Sequence, residues 1–583
     1  MNIIGISALY HDSACCVLQD GKLIAAAQEE RFTRTKNDSS MPLHAFRYCL
    51  EEARLTLPDI DRVAYYEDPV MKLARQIWSG HDPLADHLQE KLDPRRAENE
   101  IRELLGYEGP IDIHEHHLSH AASTFFFSPF DKAAIMTFDG VGEWASTTYG
   151  TGHGSQIDLF EEVHFPDSIG LLYSTITSYL GFKVNNGEYK VMGLAPYGKP
   201  IYRKQIEQLF EWSKEGQFRL NMKYFDFIAG ERMYSDELVA LFGTEPRVRE
   251  SKMEQYHMDV ARSLQVVLEE FLLEKATYLH EKTREENLCM AGGVALNCVA
   301  NGRLLREGPF KKLFVQPASN DSGCALGAAA LSHMKYSDDK KIASMPHAYY
   351  GPSFSDAEIR RMLEATDLKW TSFEGNKENL INATAQKIAD GKVVGWFQGK
   401  MEFGPRALGC RSILGDPRDS GMRDKINLMV KKREGFRPFA PAVLLSEAQN
   451  HFKLDHPSPF MLETCQVDSQ LDLPAITHVD NSARVQTVTE ETNPLFAALL
   501  TEFMNKTGCP IILNTSFNVR GEPIVCTPVD ALECFILTEI DSLVVGSFMI
   551  SREENDLTFL EATLKEVRSS NRSAISTDVY TFI

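Results

Sequence analysis

The chain has 583 residues, 43% of them apolar, which is enough for two or three domains with buried cores. Its formal charge of −21 argues against broad electrostatic capture of nucleic acid or of an anionic membrane. The absence of a long apolar run and of a signal-peptide pattern predicts a cytoplasmic protein, and eleven cysteines without a CxxC pair favour reduced, packed thiols over a zinc ribbon or a disulfide framework.

Two stretches of the N-terminal half follow the same plan. Residues 3–28 predict an apolar strand, a polar turn, a second strand, an Asp-Gly turn and a third strand. Residues 133–162 repeat this order, with a strand, the turn DGVGEW, a second strand, a glycine-rich turn and a third strand. We therefore predict a duplicated domain, within a protein of mixed α/β class.

Four histidines crowd into the segment HEHHLSHAAS at positions 114–123, although the chain contains only seventeen. On a helix, His116 and His120 are one turn apart and point from the same face, an arrangement that commonly grips a metal ion. Asp139 and Asp321 lie in loops after predicted strands, and glycine or serine beside each leaves the carboxylate free to face a cleft. Two histidines and two aspartates suit iron(II), zinc or manganese, among which the sequence does not choose. Capped or core histidines remain the alternative interpretation.

A further histidine, His11, stands alone in the first polar turn, LYHDSA. The ordinary pKa of histidine lies near neutrality, so beside a metal this side chain would be a natural general base for a hydroxyl. A lone histidine is more often structural than catalytic, and that alternative stays open.

The middle of the chain continues the α/β pattern. Apolar periodicity predicts a long helix over 258–279, followed by a strand over 287–290 and the glycine turn AGGVALN. Gly292 and Gly293 in this turn would admit a nucleotide phosphate or ribose to the backbone amides, although such turns occur in many proteins with nothing bound. A polar stretch over 336–347 then predicts a boundary near 345, which gives domains of residues 1–345 and 346–583.

The second region carries a local excess of positive charge. Residues 400–437 hold ten basic and five acidic side chains, which would attract small polyanions such as ATP or an acyl phosphate. A solvated surface run is the common alternative. The charged hydrogen-bond donors suited to phosphate are Arg406, Arg411, Lys431 and Arg437. A buried-type strand at 510–513 then leads into a dense polar set made of Asn514, Ser516, Asn518, Arg520 and Glu522.

At this point the sequence resembles a known family. The chain is similar to the antibiotic and nodulation-factor O-carbamoyltransferases in the segments ISALYHDSA, EERFTR, HHLSHAAS, FDGVGEW, EYKVMGLAPYG, AGGVALNCVANG, FGPRALGCRS, KKREGFRPFAPAV and NTSFNVRGEPIV, which run in order from residue 3 to about 550. The resemblance implies an N-terminal domain like that of the universal tRNA threonylcarbamoyl transferases, built on the duplicated actin and sugar-kinase fold. It also implies a C-terminal YrdC-like α/β domain.

The resemblance further implies a reaction in two stages. In the C-terminal domain, carbamoyl phosphate and ATP with Mg²⁺ would yield carbamoyl adenylate and pyrophosphate. The residues that match this activity are Arg406, Arg411, Lys431, Arg437, Asn514 and Ser516, with Asn518 and Arg520 in the same binding set. In the N-terminal domain the carbamoyl group would pass to a hydroxyl of a small natural product.

The N-terminal site that the resemblance implies combines a metal with a nucleotide. Iron(II), or another divalent metal, would be held by His116, His120, Asp139 and Asp321. The nucleotide would lie on Gly292, Gly293 and Asn297. His11 would deprotonate the acceptor hydroxyl, and Lys36 matches a lysine near the reacting centre.

The same fold also serves other functions, which the sequence favours less. A hydrogenase-maturation carbamoyl transferase would carry CxxC zinc fingers, which this sequence lacks, and a sugar kinase would not need the histidines or the second region. A threonylcarbamoyl transferase acting on tRNA would normally present a broad positive surface, which the charge of −21 disfavours. A nucleotide-binding sensor without catalysis is the alternative outside enzymes. The sequence identifies neither the acceptor nor the oligomeric state, for which a homodimer is the most frequent arrangement.

Overall fold

The protein has the mixed α/β structure that the sequence predicts. It is made of two compact units. A computed structural model describes residues 1–228, 231–431, 435–436 and 439–570. Among these, the first unit comprises Met1–Thr33 and Asn37–Met345, and the second comprises Arg34–Lys36 and the chain from Pro346 onward. Within the described ranges, we find no helix whose length and apolar character would let it cross a membrane.

The first unit is built from regular elements throughout. Its strands are β1 (Asn2–Ser7), β2 (Ala14–Gln19), β3 (Lys22–Gln28), β4 (Arg62–Tyr65), β5 (Ile111–Ile113), β6 (Lys132–Phe138), β7 (Ala145–His153), β8 (Gln156–His164), β9 (Phe210–Trp212), β10 (Phe218–Leu220), β11 (Asn287–Ala291) and β12 (Lys312–Val315). Its α-helices are α1 (Glu30–Thr33), α2 (Leu43–Ala53), α3 (Pro69–Trp78), α4 (Arg96–Leu105), α5 (His116–Phe125), α6 (Ile169–Tyr179), α7 (Glu188–Leu194), α8 (Arg203–Glu207), α9 (Asp236–Phe242), α10 (Gln255–Thr283), α11 (Cys298–Glu307) and α12 (Asp321–Tyr336). The predicted strand triplets and the predicted long helix, α10, are confirmed.

The first unit contains the same five-stranded sheet twice. One sheet has the order β3-β2-β1-β4-β5, and the other has the order β8-β7-β6-β11-β12. In each, three consecutive antiparallel strands are extended by two strands that run parallel to the first of the three. The duplication predicted from the two strand triplets is therefore present in the sheet topology.

Two close backbone contacts fix α12 between β1 and α5. A methyl group at Gly5 would lie 1.9 Å from the carbonyl oxygen of Ala325, and one at Gly327 would lie 1.8 Å from that of Ser119. Only glycine permits such approaches, because any side chain would overlap the neighbouring backbone. The packing of α12 on α5 brings the start of α12 beside the histidines of α5.

The second unit is organised around one large sheet. Its strands are β13 (Thr371–Ser372), β14 (Val394–Phe397), β15 (Arg411–Gly415), β16 (Ala440–Leu444), β17 (Cys465–Gln466), β18 (Ser482–Ala483), β19 (Gln486–Val488), β20 (Ile511–Ser516), β21 (Ser542–Val545) and β22 (Phe548–Ser551). Its α-helices are α13 (Asp356–Glu364), α14 (Lys377–Ala389), α15 (Met422–Ile426), α16 (Pro494–Thr507), α17 (Pro528–Leu537) and α18 (Thr558–Ser570). The sheet order is β13-β22-β21-β14-β15-β20-β16-β19, and its core contains the fully buried side chains of Trp396, Phe517 and Val544.

Candidate active site

The four predicted metal ligands converge in the first unit, where all of them are buried. His116 begins α5 and His120 lies one turn later, with the two rings edge to face and their centroids 4.6 Å apart. Asp139 directly follows β6 as predicted, whereas Asp321 is the first residue of α12 and not part of a loop. The donor atoms of the four residues all lie within 4.8 Å of one another.

The spacing of these atoms fits one bound cation. Nε2 of His116 is 3.5 Å from Oδ2 of Asp139, and Nε2 of His120 is 3.6 Å from Oδ1 of Asp321. Ligands about 2.1 Å from a tetrahedral ion stand about 3.4 Å apart, so these separations suit a metal site. Both nitrogens of each histidine and three of the carboxylate oxygens are buried without a hydrogen-bond partner in the part of the chain that is described. A cation would satisfy one nitrogen of each histidine and one oxygen of each aspartate, which are otherwise costly to bury.

The histidines and aspartates alter one another's pKa values. Burial opposes the charge on His116, but Asp321 and Asp139 outweigh it and raise the pKa of His116 to about 9. Burial also opposes ionisation of Asp139, yet His116 and His120 hold the pKa of Asp139 well below its usual range. Asp139 is therefore ionised at neutral pH and supplies negative charge for a cation.

The other two histidines of the HEHHLSH segment are held elsewhere. Nε2 of His114 lies 2.8 Å from Oγ of Ser332, and Nδ1 of His117 lies 2.6 Å from Oγ1 of Thr137 on β6. Burial lowers the pKa of His117 well below its usual range, so this ring is neutral. Neither residue belongs to the group of four whose donor atoms converge among the described residues.

Glu143, which the sequence analysis did not single out, anchors the start of α5. Its Oε1 accepts the backbone N–H of His116 at 2.9 Å and that of Asp68 at 2.6 Å. Burial raises the pKa of Glu143. Its place in the turn DGVGEW, four residues after Asp139, is the signal in the sequence that points to it.

Cys324 is a second residue of the site that the sequence analysis missed. It follows Asp321 by one turn of α12 and is fully buried. Its sulfur lies within 4.8 Å of donor nitrogens of His116 and His120. Burial raises the pKa of Cys324 well above its usual range, so it is a neutral thiol beside the cluster.

His11 lies next to the cluster of predicted metal ligands. Its Nδ1 is 3.0 Å from Oδ2 of Asp12 and 3.6 Å from Oδ2 of Asp321. Burial opposes the charge on His11, but Asp321 and Asp12 outweigh it and raise the pKa of His11 to about 10. The structure thus brings the predicted base beside Asp321, with the ring oriented by Asp12.

The glycine turn after β11 contacts the same cluster. Gly293 donates its N–H to Oδ1 of Asp139 at 2.8 Å. Gly292 has a φ of 92°, and a methyl group there would lie 2.2 Å from the carbonyl oxygen of Phe138. These two glycines fix the position of Asp139, and their predicted contact with a nucleotide stays a prediction.

Asn297 follows this turn and caps α11. Its side-chain oxygen accepts the N–H of Ala300 at 3.1 Å, and its Nδ2 donates to Oε1 of Gln265 at 2.9 Å. These contacts give both ends of its amide group a hydrogen-bond partner within the protein. Its predicted role in nucleotide binding stays a prediction as well.

In the second unit, two predicted arginines occupy different settings. Arg406 is half-buried in the loop between β14 and β15. Arg411 is fully buried, with Nη1 donating to the carbonyl groups of Gln398 and Gly399 and Nη2 donating to that of Pro352. This arrangement favours a role for Arg411 in holding the loop, and the phosphate contact predicted for it stays a prediction.

Asn514 on β20 lies beside the loop that carries Arg406. Its Nδ2 donates to Oε1 of Gln486 at 2.8 Å and to the carbonyl oxygen of Ala407 at 3.3 Å. Its Oδ1 is buried and has no hydrogen-bond partner among the described residues. The asparagine therefore presents an acceptor oxygen next to the predicted phosphate-binding loop.

The remaining predicted site residues are Ser516, Asn518, Arg520, Lys36, Arg437 and Lys431. Oγ of Ser516 donates to Oδ1 of Asn518 at 2.8 Å, and Arg520 is exposed in the turn that follows. Lys36 is half-buried in the turn after α1, within the short segment that belongs to the second unit. Arg437 and the side chain of Lys431 lie outside the described part of the structure.

Comparison with known proteins places a single family over both units. The carbamoyltransferase N-terminus model matches residues 2–330, and the carbamoyltransferase C-terminus model matches residues 385–552. An uncharacterized protein of Synechocystis is 46% identical over 597 residues, covering 94% of this chain and 97% of that protein. Nodulation protein NolNO of Sinorhizobium fredii is 40% identical over 560 residues, covering 93% of this chain and 79% of its own. The 3'-hydroxymethylcephem-O-carbamoyltransferase of Amycolatopsis lactamdurans is 36% identical over 267 residues, covering 46% of this chain and 49% of its own.

Proposed function

This chain belongs to the carbamoyltransferase family and is a carbamoyltransferase, and on that premise we propose that it activates a carbamoyl group with ATP and transfers it to a hydroxyl of a small molecule. The first stage forms carbamoyl adenylate in the second unit, and the second stage consumes it in the first unit. One relative is named as an O-carbamoyltransferase of a hydroxymethylcephem, which supports oxygen as the accepting atom.

The observation that carries this proposal is the buried set of His116, His120, Asp139 and Asp321. Its donor atoms are close together, and most of them have no hydrogen-bond partner among the described residues. A divalent cation, which we take to be iron(II) with zinc or manganese as alternatives, would supply a Lewis acid for the carbamoyl carbonyl oxygen there.

The residues around this cluster provide the other requirements of the transfer step. The acceptor oxygen attacks the carbamoyl carbon, and AMP leaves with the electron pair of the broken C–O bond. A cation held by Asp321 would offset the carboxylate charge that raises the pKa of His11, so that the neutral ring takes the hydroxyl proton on Nε2, since Nδ1 is bonded to Asp12. Glu143 keeps His116 in position through the N–H that it accepts. Gly293 does the same for Asp139.

The activation step draws on the loop residues of the second unit. Water releases carbamate and phosphate from carbamoyl phosphate, a carbamate oxygen attacks the α-phosphorus of MgATP, and pyrophosphate leaves. Arg406 would neutralise charge that develops on the phosphates. Oδ1 of Asn514 would accept an N–H of the carbamoyl group, which is the kind of donor that this buried oxygen needs.

A direct experiment tests the two stages separately. Purified protein is incubated with ATP, Mg²⁺ and carbamoyl phosphate in the absence of an acceptor, and pyrophosphate and phosphate are followed together. We expect both products only when carbamoyl phosphate is present. Pyrophosphate release without carbamoyl phosphate, or no release at all, would contradict the proposed activation step and would favour a nucleotide-binding sensor.

A further inference from the structure

Helix α3 exposes apolar side chains and buries charged ones, which is the reverse of an ordinary surface helix. Its solvent side is apolar, with the side chains of Val70 and Trp78 64% and 55% exposed. Its inner side is cationic, because Lys72 and Arg75 are buried one turn apart. The hydrophobic effect favours burial of the apolar side chains and exposure of the charged ones. The burial of these two cations therefore indicates that the inner side of α3 has a function.

Lys72 links the inner side of α3 to the reacting centre. Its Nζ binds Oε1 of Glu67 at 2.5 Å and lies 4.9 Å from the centre of the Tyr10 ring. The Tyr10 ring packs against that of His11, with centroids 4.7 Å apart. The residue that caps α3 also donates its N–H to Glu143, which anchors the metal-binding helix. The inner side of α3 therefore borders the place where the base meets the metal ligands.

No carboxylate of the described residues forms an ion pair with the guanidinium of Arg75. The residue is 1% exposed, and its Nε and Nη1 have no hydrogen-bond partner within the described ranges. Its guanidinium lies over the face of Phe165, 5.5 Å from the ring centre. Glu67 is already matched by Lys72, so it does not offset the charge of Arg75. Buried guanidinium N–H groups without a hydrogen-bond partner call for an anion.

We propose that Arg75, with Lys72 beside it, binds an oxyanion of the acceptor, a carboxylate or a phosphate group, while the acceptor hydroxyl faces His11. A guanidinium offers a planar fork that matches either oxyanion with two parallel hydrogen bonds. Arg75 lies three residues after Lys72, which corresponds to a rise of about 4.5 Å along the helix. The anion therefore lies beyond Lys72, and several bonds of the acceptor separate it from the reacting hydroxyl. This inference rests on the proposed function, because it takes the acceptor to be the molecule that His11 deprotonates.

An oxyanion at this position has two sources, the acceptor and the phosphate of the nucleotide. Arginine labelling distinguishes them without any need to know the acceptor. The wild-type protein is treated with phenylglyoxal in chloride, inorganic phosphate, acetate or AMP at matched ionic strength. Mass spectrometry of peptides then reports the labelling rate of each arginine. Arg102 on α4, which is paired with Glu98, serves as the internal control.

We expect phosphate or acetate to slow the labelling of Arg75 several-fold relative to chloride, while the labelling of Arg102 stays the same. Equal labelling in all anions, or no labelling of Arg75 in chloride, would overturn the inference. Protection by AMP at concentrations where phosphate and acetate have no effect would assign the anion to the nucleotide, and would overturn the acceptor site. Pyrophosphate release by the same preparation tests the proposed function separately.

Discussion

His116 and Asp139 face each other inside the first unit, with Nε2 of the histidine 3.5 Å from Oδ2 of the aspartate. The two residues belong to different parts of the chain, since His116 begins α5 and Asp139 directly follows β6. This separation exceeds the length of an ordinary hydrogen bond but equals the distance between two ligands of one ion. The separation therefore fits the proposed cation, and the first prediction follows from it.

Replacement of His120 by alanine should remove the bound metal and abolish carbamoyl transfer, while pyrophosphate release in the second unit continues. One of four ligands is lost, and the imidazole 3.6 Å from Oδ1 of Asp321 is lost with it. Metal analysis of the purified variant and the two activity assays measure these outcomes. His153→Ala on β7 is the control, because this exposed histidine lies outside the cluster. Full metal content in His120→Ala would refute the assignment.

Replacement of Glu143 by alanine should weaken metal binding without removing a ligand. The carboxylate accepts the N–H groups of His116 and Asp68, so its loss frees the start of α5. Partners that orient metal ligands typically change metal affinity by about tenfold to a hundredfold. Titration of the metal-free protein gives the affinity. Glu143→Gln keeps an acceptor oxygen and should retain most of it, so equal losses in both variants would argue against this orienting role.

The sequence predicts the metal-binding residues because their signals are local. The spacing of His116 and His120 depends only on helix geometry, and Asp139 is marked by the glycines around it. The structure brings Asp321 into the same cluster through a contact that no local pattern encodes, the packing of α12 on α5 at Gly327. The neighbours of Asp321 in the sequence mark it as a candidate ligand, but they do not encode its distance from the histidines.

Other parts of the site depend on contacts between distant segments. Arg411 donates to the carbonyl group of Pro352, and Asn297 pairs with Gln265, so both polar side chains have structural partners far away in sequence. A motif reveals the residue type and its charge, but it does not reveal which groups the side chain already satisfies. For the same reason the buried guanidinium of Arg75 becomes visible only when the fold is known.

Replacement of Arg406 by alanine should strongly slow pyrophosphate release in the presence of carbamoyl phosphate. A single charge-assisted contact to a phosphate contributes about 1.5–3 kcal/mol, so a loss of at least tenfold in rate is expected. The initial rate of pyrophosphate release measures the effect. Arg423→Ala on α15 is the matched control, since that arginine pairs with its neighbour Asp424. Similar rates in the two variants would show that Arg406 does not contact the phosphates.

Replacement of Gly292 by alanine should destabilise the first unit and disturb the metal site. The residue has a φ of 92°, and a methyl group would lie 2.2 Å from the carbonyl oxygen of Phe138. Strained backbone of this kind costs about 1–3 kcal/mol before the steric overlap is counted. Thermal unfolding and metal content report the change. Gly193→Ala is the control, because a methyl group there meets nothing within 4 Å. Unchanged unfolding of Gly292→Ala would contradict the described turn.

The last prediction concerns the pH dependence of stability in the second unit. Glu463 and Asp455 flank His456, and the hydrogen bond from its ring to Glu463 outweighs partial burial and raises the pKa of His456 from 6.5 to about 9. Because the folded protein binds the proton more tightly than the unfolded chain, the contribution is complete below pH 6.5 and is lost as pH rises through about 9. His456→Gln should therefore lower the urea midpoint more at pH 6 than at pH 10, relative to wild type. A difference between the two proteins that does not change with pH would show that the pair contributes no proton-linked stability.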